Sequence, residues 1–344
     1  MYEDLKIYFN QLLFITVFLL PWLGSAQDIH FSQFYNSPLT LNPAATGNYD
    51  GNWRVMNNFR SQWAAVSAPY TTISLGYDHQ FYLPNEKDKI SAGLIFVNDK
   101  SGDLTLTSNK ILVSLAFHKK VNKQTVSFGL QGGFITKAYS TANLSLPDQW
   151  VFKQGFDSNA PTSDTKIGQQ ASFMDINFGA QWKTTMDKLE PTVGIALFHL
   201  NSPNETFMGN DNKLPLRMAF NAGAKYHLSD KYFLYPNLLF HQDKKVNEMV
   251  IGTHFGINLP KNNAEIKYVM FGPYFRGNRF VSSADAIVIA LGANIYDFDV
   301  GISYDINVSG LKTATQNRGG IEFSIIYTKL RVILEKITLP CDRM

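Results

Sequence analysis

The sequence predicts an all-β fold: a single antiparallel transmembrane β-barrel of about 14 strands, with short periplasmic turns and longer extracellular loops. Three observations lead to this prediction. Apolar and polar residues alternate along most of the chain, the alternating stretches are long, and short and longer connections alternate between them. The stretches run to roughly 10–14 residues, whereas strands of ordinary sheets most often have 5–6 and tilted membrane strands need about 9–11.

The composition also suits a membrane wall built from strands. Of the 344 residues, 45% are hydrophobic and 17% are charged, whereas about 25% are charged in a typical soluble domain. No stretch after residue 26 reaches the roughly 18 apolar residues of a transmembrane helix. The net charge of +3 comes without a basic cluster, so no nucleic-acid partner is expected.

The chain begins with a segment that has the features of a signal peptide, which predicts export to the outer membrane. Residues 12–20 form an apolar run, and the small residues 24–26 offer a cleavage site after residue 26. Residues 1–26 are therefore predicted to be the signal peptide. Glu3 and Asp4 outweigh Lys6 where a positive charge is usual, so a membrane anchor or a misassigned start are the alternatives.

Residues 27–50 precede the first strand and keep no sustained period. Pro38, Pro43 and Gly47 interrupt this stretch, which predicts an irregular periplasmic arm. The Asn-Pro-Ala turn at 42–44 sets a rigid bend, because proline fixes its own φ and restricts the residue before it. The arm either docks a partner, enters the lumen as a partial plug, or is a poorly ordered terminus.

The alternation predicts that the barrel extends from residue 51 to residue 330, followed by a periplasmic tail, 331–344. An even number of strands places both chain ends on the periplasmic side. In chain order the strands are expected near 53–60, 71–78, 88–99, 104–118, 124–137, 172–183, 189–200, 215–227, 232–242, 247–259, 264–276, 284–296, 300–308 and 321–327.

The two faces of these strands differ in a way that a membrane barrel requires. One face is apolar, as in the run of Ile287, Ile289 and Leu291, and is expected to meet lipid. A charged side chain turned toward lipid near the midplane would cost roughly 2–4 kcal/mol. The ionisable side chains of the opposite face are therefore predicted to line a wet lumen: Arg54, Arg60, Asp175, Arg217, Lys225, Glu265, Lys267 and Glu322.

Five segments carry a resemblance to a known family. They are Phe31-Ser32-Gln33-Phe34-Tyr35, Leu41-Asn42-Pro43-Ala44-Ala45-Thr46-Gly47, Phe59-Arg60-Ser61-Gln62-Trp63, Tyr304-Asp305-Ile306-Asn307-Val308-Ser309 and Gly319-Gly320-Ile321-Glu322-Phe323-Ser324. These segments resemble the PorP/SprF family, outer-membrane proteins of the type IX secretion system in Bacteroidota. The resemblance spans essentially the whole mature chain, and its motifs are specific at both ends.

The resemblance implies a role in type IX secretion or gliding motility. It implies that the barrel anchors or escorts large secreted adhesins and contacts peptidoglycan-associated secretion components in the periplasm. It also favours a partner-binding arm, with Phe31, Gln33, Tyr35, Asn42 and Pro43 as the candidate residues. The tail reads Pro-Cys-Asp-Arg-Met where the family more often has Pro-Cys-Pro-Arg-Phe, so no role is carried over to the tail.

Two further segments have candidate roles. In the last strand, Gly320, Phe323 and Ile325 resemble a barrel insertion signal, since a final strand pairs through its edge during assembly; an ordinary amphipathic strand is the alternative. The connection 138–171 is the longest in the chain; it either caps the barrel, meets surface cargo or is a mobile loop.

No enzyme activity, cofactor or metal is expected. The seven histidines show no metal-ligand spacing, and the single cysteine, Cys341, excludes an intrachain disulfide framework. Together with the resemblance, this favours a structural component of secretion. An outer-membrane pore or transporter for small or hydrophobic solutes is the alternative, based on likeness of fold alone.

Overall fold

The computed structural model describes residues 29–64, 68–85, 87–102, 106–138, 147–151, 154–157, 160, 170–207, 211–244, 247–260, 265–278 and 283–331. The predicted signal peptide, Cys341 and all but the first residue of the predicted tail lie outside these ranges.

Fourteen long strands form one closed antiparallel barrel, which confirms the predicted fold class. The barrel strands are β1 (Trp53–Gln62), β2 (Tyr70–Tyr82), β3 (Lys89–Ser101), β4 (Leu106–Val121), β5 (Gln124–Ala138), β8 (Ala171–Thr184), β9 (Leu189–Phe198), β10 (Arg217–His227), β11 (Tyr232–Gln242), β12 (Asn247–Asn258), β13 (Ile266–Asn278), β14 (Ser283–Ile295), β15 (Phe298–Asn307) and β16 (Arg318–Lys329). Two short strands, β6 (Trp150–Val151) and β7 (Gly155–Phe156), pair within the connection from β5 to β8.

Closure of the barrel depends on the pairing of its first and last strands. β16 pairs with β1 in unbroken register, from Trp53 opposite Lys329 to Gln62 opposite Gly320. Each remaining barrel strand pairs with its neighbours in chain order. The closed wall therefore leaves no strand edge unpaired. Among the described residues, no helix is long and apolar enough to cross a membrane.

The barrel has a turn end, where β1 begins and β16 ends, and an opposite loop end. The connections 122–123 and 296–297 at the turn end have two residues each, and Asn122 and Tyr296 there adopt positive φ, as tight hairpins require. The two longest connections, 139–170 and 199–216, lie at the loop end as expected. The expected difference in length is not strict, because the loop-end connections 102–105, 243–246 and 279–282 are also short.

The two faces of the wall have opposite polarity, as the alternation predicts. Leu130 and Leu291 on the outer face are 58% and 51% exposed. Asp78, His254 and Arg276 on the inner face are almost completely buried. An exposed apolar face around a buried polar interior is the arrangement that a lipid environment stabilises.

Residues 29–50, here called the arm, lie inside the barrel. The arm contains three short helical segments, Phe34–Asn36, Pro38–Leu41 and Pro43–Ala45. It begins near the loop end, where His30 faces Glu248 of β12. It leaves at the turn end, where the Asn52 amide donates to the carbonyl of Lys329.

The path of the arm corrects one expectation. The even strand number placed both chain ends at the turn end, but the described chain begins near the loop end. The reason is that the arm passes along the lumen from the loop end to the turn end before β1 starts.

Candidate functional site

The arm and the inner face of the wall together form the candidate site, and Glu322 of β16 holds the start of the arm. Its Oε1 accepts the Ser32 amide at 2.6 Å and its Oε2 accepts the Gln33 amide at 2.9 Å. The Arg60 guanidinium of β1 pairs with the same carboxylate. Because backbone N–H groups buried without acceptors are costly, this carboxylate fixes where the arm begins.

A second carboxylate, Asp305 of β15, is shared by two arginines. Its Oδ2 lies 2.9 Å from Arg60 Nη2 and 2.8 Å from Arg276 Nη1. The Ser32 hydroxyl donates to the same oxygen at 3.0 Å. Five residues form what is here called the ionic cluster: Ser32, Arg60, Arg276, Asp305 and Glu322. The cluster joins the arm to four wall strands, β1, β13, β15 and β16, with its charges paired, as burial requires.

An aromatic group holds the next part of the arm. The Tyr35 ring stacks on Tyr274 with centroids 5.6 Å apart, and its hydroxyl lies 3.2 Å from His254 Nε2. The Tyr274 hydroxyl lies 2.8 Å from His254 Nδ1, so one imidazole bridges both phenols. Phe34 packs edge-on against Tyr274 in a buried cluster with Leu239.

The bend at Asn42 and Pro43 fits against a part of the wall that carries glycines. Asn42 Oδ1 caps the following helical turn by accepting the Ala44 amide at 2.9 Å, and Asn42 Nδ2 donates to wall carbonyls. A Cβ atom on Gly129 would overlap the carbonyl group of Pro43, and one on Gly179 would overlap Asn42 Oδ1. Only glycine allows this close approach of two backbones.

The last part of the arm is held at the turn end by a buried ion pair. Arg54 and Asp78 pair at 2.6 Å, and the Gly47 amide donates to the same carboxylate at 2.8 Å. The Arg54 guanidinium also lies 4.3 Å above the ring of Tyr49. The Thr46 carbonyl lies 2.8 Å from a ring nitrogen of His118.

The structure places three other predicted lumen residues on the inner face, although in separate places. Asp175 pairs with His199 at 2.9 Å near the loop end. Arg217 lies 2.9 Å from His241 and packs over the ring of Phe198. Lys225 lies close to the turn end, with its Nζ 4.5 Å from the ring centre of Phe233.

Glu265 and Lys267 are not lumenal. Both are exposed at the turn-end rim, where Lys267 pairs with Asp297 at 2.7 Å. The physical reason is the parity of β13: its even-numbered positions from Tyr268 to Arg276 are the less exposed ones and face inward, so the odd positions 265 and 267 belong to the outward face. At the rim, water solvates the charges of both side chains.

The remaining predicted residues have clear positions. Phe31 is buried within the lumen. Phe323 and Ile325 lie on the lipid-facing side of β16, 43% and 48% exposed, while Gly320 faces inward. These positions are those of an ordinary amphipathic strand, and the insertion signal stays a prediction.

Sequence reasoning missed Arg276, Tyr274 and the glycines beneath the bend. Arg276 could have been found, because a charged side chain on a membrane strand is costly toward lipid, and the two-residue period then turns Tyr274 inward as well. The role of Gly129 and Gly179 had no signal in the sequence, because it arises from the approach of a distant segment.

Two larger cavities border the arm, one toward each end of the barrel. The loop-end cavity, of about 510 Å³, is lined by His30, Arg60, Trp63, Tyr70 and Lys110, among others. The turn-end cavity, of about 250 Å³, is lined by Tyr35, Lys225, Phe233, Tyr235 and Tyr268, among others. Within the described part of the chain, no group of three or more His, Cys, Asp or Glu residues is arranged to hold a metal ion.

Comparison with known proteins agrees with this architecture. A family model described as type IX secretion system membrane protein PorP/SprF matches residues 23–327. No curated protein sequence matches the chain.

Solved structures show a similar fold. The TodX deltaS2S3 mutant monoaromatic hydrocarbon channel is similar with a TM-score of 0.51 at 10% identity, over 86% of this chain and 94% of that one. The toluene transporter TbuX of Ralstonia pickettii has a TM-score of 0.49 at 9% identity, over 90% of this chain and 96% of that one. At such identities the likeness is one of fold.

Proposed function

Because the chain belongs to the PorP/SprF family of type IX secretion system membrane proteins, we propose that this outer-membrane barrel anchors or escorts secreted surface proteins such as adhesins. In this proposal the turn end faces the periplasm and contacts peptidoglycan-associated secretion components. The loop end, with its two longest connections, faces outward and meets the cargo. Gliding motility is the process that such a surface adhesin serves.

The observation that carries the proposal is the way the arm occupies the lumen. Carboxylates of buried ion pairs in the wall accept hydrogen bonds from the arm near both of its ends: Glu322 accepts from two successive arm amides, and Asp78 accepts from the Gly47 amide. Opening a water-filled path along the lumen would require breaking these hydrogen bonds to charged groups, which contribute about 1.5–3 kcal/mol each. This favours a barrel that works as an anchor over one that works as a channel.

The proposal is tested by deleting the gene and complementing it with the full-length protein. We expect loss of surface display of at least one type IX cargo, measured by labelling of intact cells, without a change in small-solute permeability. We also expect purified full-length protein to give no steady conductance in planar bilayers. Free ion conduction by the purified protein would overturn the proposal.

A second candidate function is that of a pore or transporter for small or hydrophobic solutes. The aromatic lining of the turn-end cavity favours it, since apolar rings suit an apolar solute. Liposomes containing the full-length protein would then take up toluene or a short-chain fatty acid faster than empty liposomes. Equal uptake rates would exclude this candidate.

A further inference from the structure

The turn-end cavity combines aromatic walls with a cation. It lies between the arm residue Tyr35 and the strands β10 to β16, and has a volume of about 250 Å³. Phe233, Tyr235 and Tyr268 contribute rings to its lining, and Lys225 contributes an ammonium group. The cavity therefore offers apolar surface and an ammonium group within the same space.

Lys225 is held by rings and not by a carboxylate. Its Nζ lies 4.5 Å from the ring centre of Phe233 and 5.7 Å from that of Tyr268. In the described ranges it forms neither an ion pair nor a hydrogen bond. Asp299, which also lines the cavity, already accepts from Tyr268 and Asn294, each at 2.6 Å. A lysine facing aromatic rings keeps its capacity to pair with an anion.

The other charged and phenolic groups of the lining differ in whether they already have an ion-pair or hydrogen-bond partner. Arg54 also lines the cavity but is paired with Asp78. Tyr35 is bonded to His254. The Tyr235 hydroxyl has no hydrogen-bond partner within the described residues, while its ring stacks on His254 at 6.4 Å. Lys225 and Tyr235 therefore both have hydrogen-bond donors left for a ligand.

We propose that the turn-end cavity binds a carboxylate that carries one aromatic or large apolar group. Lys225 Nζ pairs with the carboxylate, Tyr235 donates to it, and the rings of Phe233 and Tyr268 surround the apolar part. The volume suits a ligand about the size of one aromatic amino acid. Such a group belongs either to a free aromatic acid or to the C-terminal residue of a peptide. The proposal is independent of the role in secretion.

The test uses the full-length protein in lipid nanodiscs and isothermal titration calorimetry, with empty nanodiscs as the blank. The probes are N-acetylphenylalanine and its amide, which lacks the charge. We expect the acid to bind at least about tenfold more tightly than the amide, as a charge-assisted hydrogen bond implies. Lys225→Met should remove that preference, and Lys225→Arg should keep it. Lys188→Met, at a turn-end lysine outside the lining, is the matched control.

A third probe, N-acetyl-Ala-Ala-Phe, separates the two sources of the ligand. If N-acetyl-Ala-Ala-Phe binds as tightly as N-acetylphenylalanine, the natural ligand is the C-terminus of a peptide. If only N-acetylphenylalanine binds, the natural ligand is a free acid. Equal affinity for acid and amide, or an unchanged affinity in Lys225→Met, would overturn the proposal. Should Lys225→Met not fold, as judged by heat-dependent gel migration, Tyr235→Phe takes its place, with a smaller loss of affinity for the acid expected.

Discussion

Glu322 is the side chain through which the wall holds the start of the arm. Its carboxylate is 2% exposed and accepts from two successive arm amides while pairing with Arg60. Each of these donors would be left buried if the carboxylate lost its charge. A single residue therefore couples the position of the arm to the closing seam between β16 and β1.

We predict that Glu322→Gln destabilises the protein strongly. The glutamine side chain keeps one acceptor oxygen, but its NH2 group replaces the other oxygen and faces a donor that then has no acceptor. Arg60 also loses a buried counter-ion. Removing one partner of a buried ion pair costs about 3–5 kcal/mol. Urea titration of the protein folded in lipid vesicles would measure the loss. Glu190→Gln, at a half-exposed carboxylate on β9, should change the stability little; equal losses in both variants would contradict the prediction.

We predict a different outcome for two glycines on the same strand. Gly129→Ala places a methyl group against the carbonyl of Pro43 and should cost about 1–3 kcal/mol through overpacking. Gly132→Ala meets its nearest neighbour, the Asp175 carbonyl, at 3.5 Å, which is ordinary contact. Thermal unfolding followed by gel migration would compare the two variants. A loss in Gly132→Ala as large as that in Gly129→Ala would argue against arm contact as the cause.

Among the elements, the arm is the one that fills the lumen and contacts the inner face of the wall. Its three short helical segments satisfy part of their backbone hydrogen bonding locally; for example, the Ala44 amide donates to the Asn42 side chain. Several of its other polar groups form hydrogen bonds to the inner face of strands on different sides of the barrel. The arm thus acts as an internal core for a wall whose lipid face is apolar.

We predict that the arm stays in place during function. Asn36 Nδ2 and Ser324 Oγ lie 2.9 Å apart, so cysteines at these positions are close enough for a short thiol-specific cross-linker. In a Cys341→Ser background, cross-linked Asn36→Cys/Ser324→Cys protein should display cargo as well as the unlinked protein, measured by labelling of intact cells. The single-cysteine variants are the controls. A drop in display on cross-linking would show that the arm must move.

At the scale of the whole molecule, the wall separates lipid from a polar interior. Exposed leucines, phenylalanines and isoleucines cover the outer face, whereas buried arginines, aspartates and histidines fill the inner face. In lipid the outer face carries no desolvation cost, and closure of the barrel satisfies each strand edge. The same molecule in water would expose a large apolar surface.

We predict that a charge on the outer face impairs membrane folding. Leu130, in the middle of β5, is 58% exposed, and Leu130→Arg should cost about 2–4 kcal/mol in a bilayer. Leu311, in the connection 308–317 at the loop end, is 57% exposed, so Leu311→Arg is a control of equal exposure. Folding into vesicles under a urea gradient would compare them. Equal effects would mean that Leu130 does not face lipid.

The sequence by itself determined the number of strands, their approximate bounds and most of the faces. These follow from a two-residue period, which is a local property of an extended chain and can be read without knowing any neighbour. That is why Leu291 was assigned to the outside and Arg60 to the inside. The motif at residues 31–35 also marked the segment whose contacts organise the lumen.

Tertiary structure alone decided the direction of the arm and the partner of each buried charge. Ser32 and Glu322 are 290 positions apart, and they meet because β16 closes on β1 and the arm passes beside that seam. Contacts of this kind depend on closure and register around the whole barrel, and a period read along one strand carries no record of them.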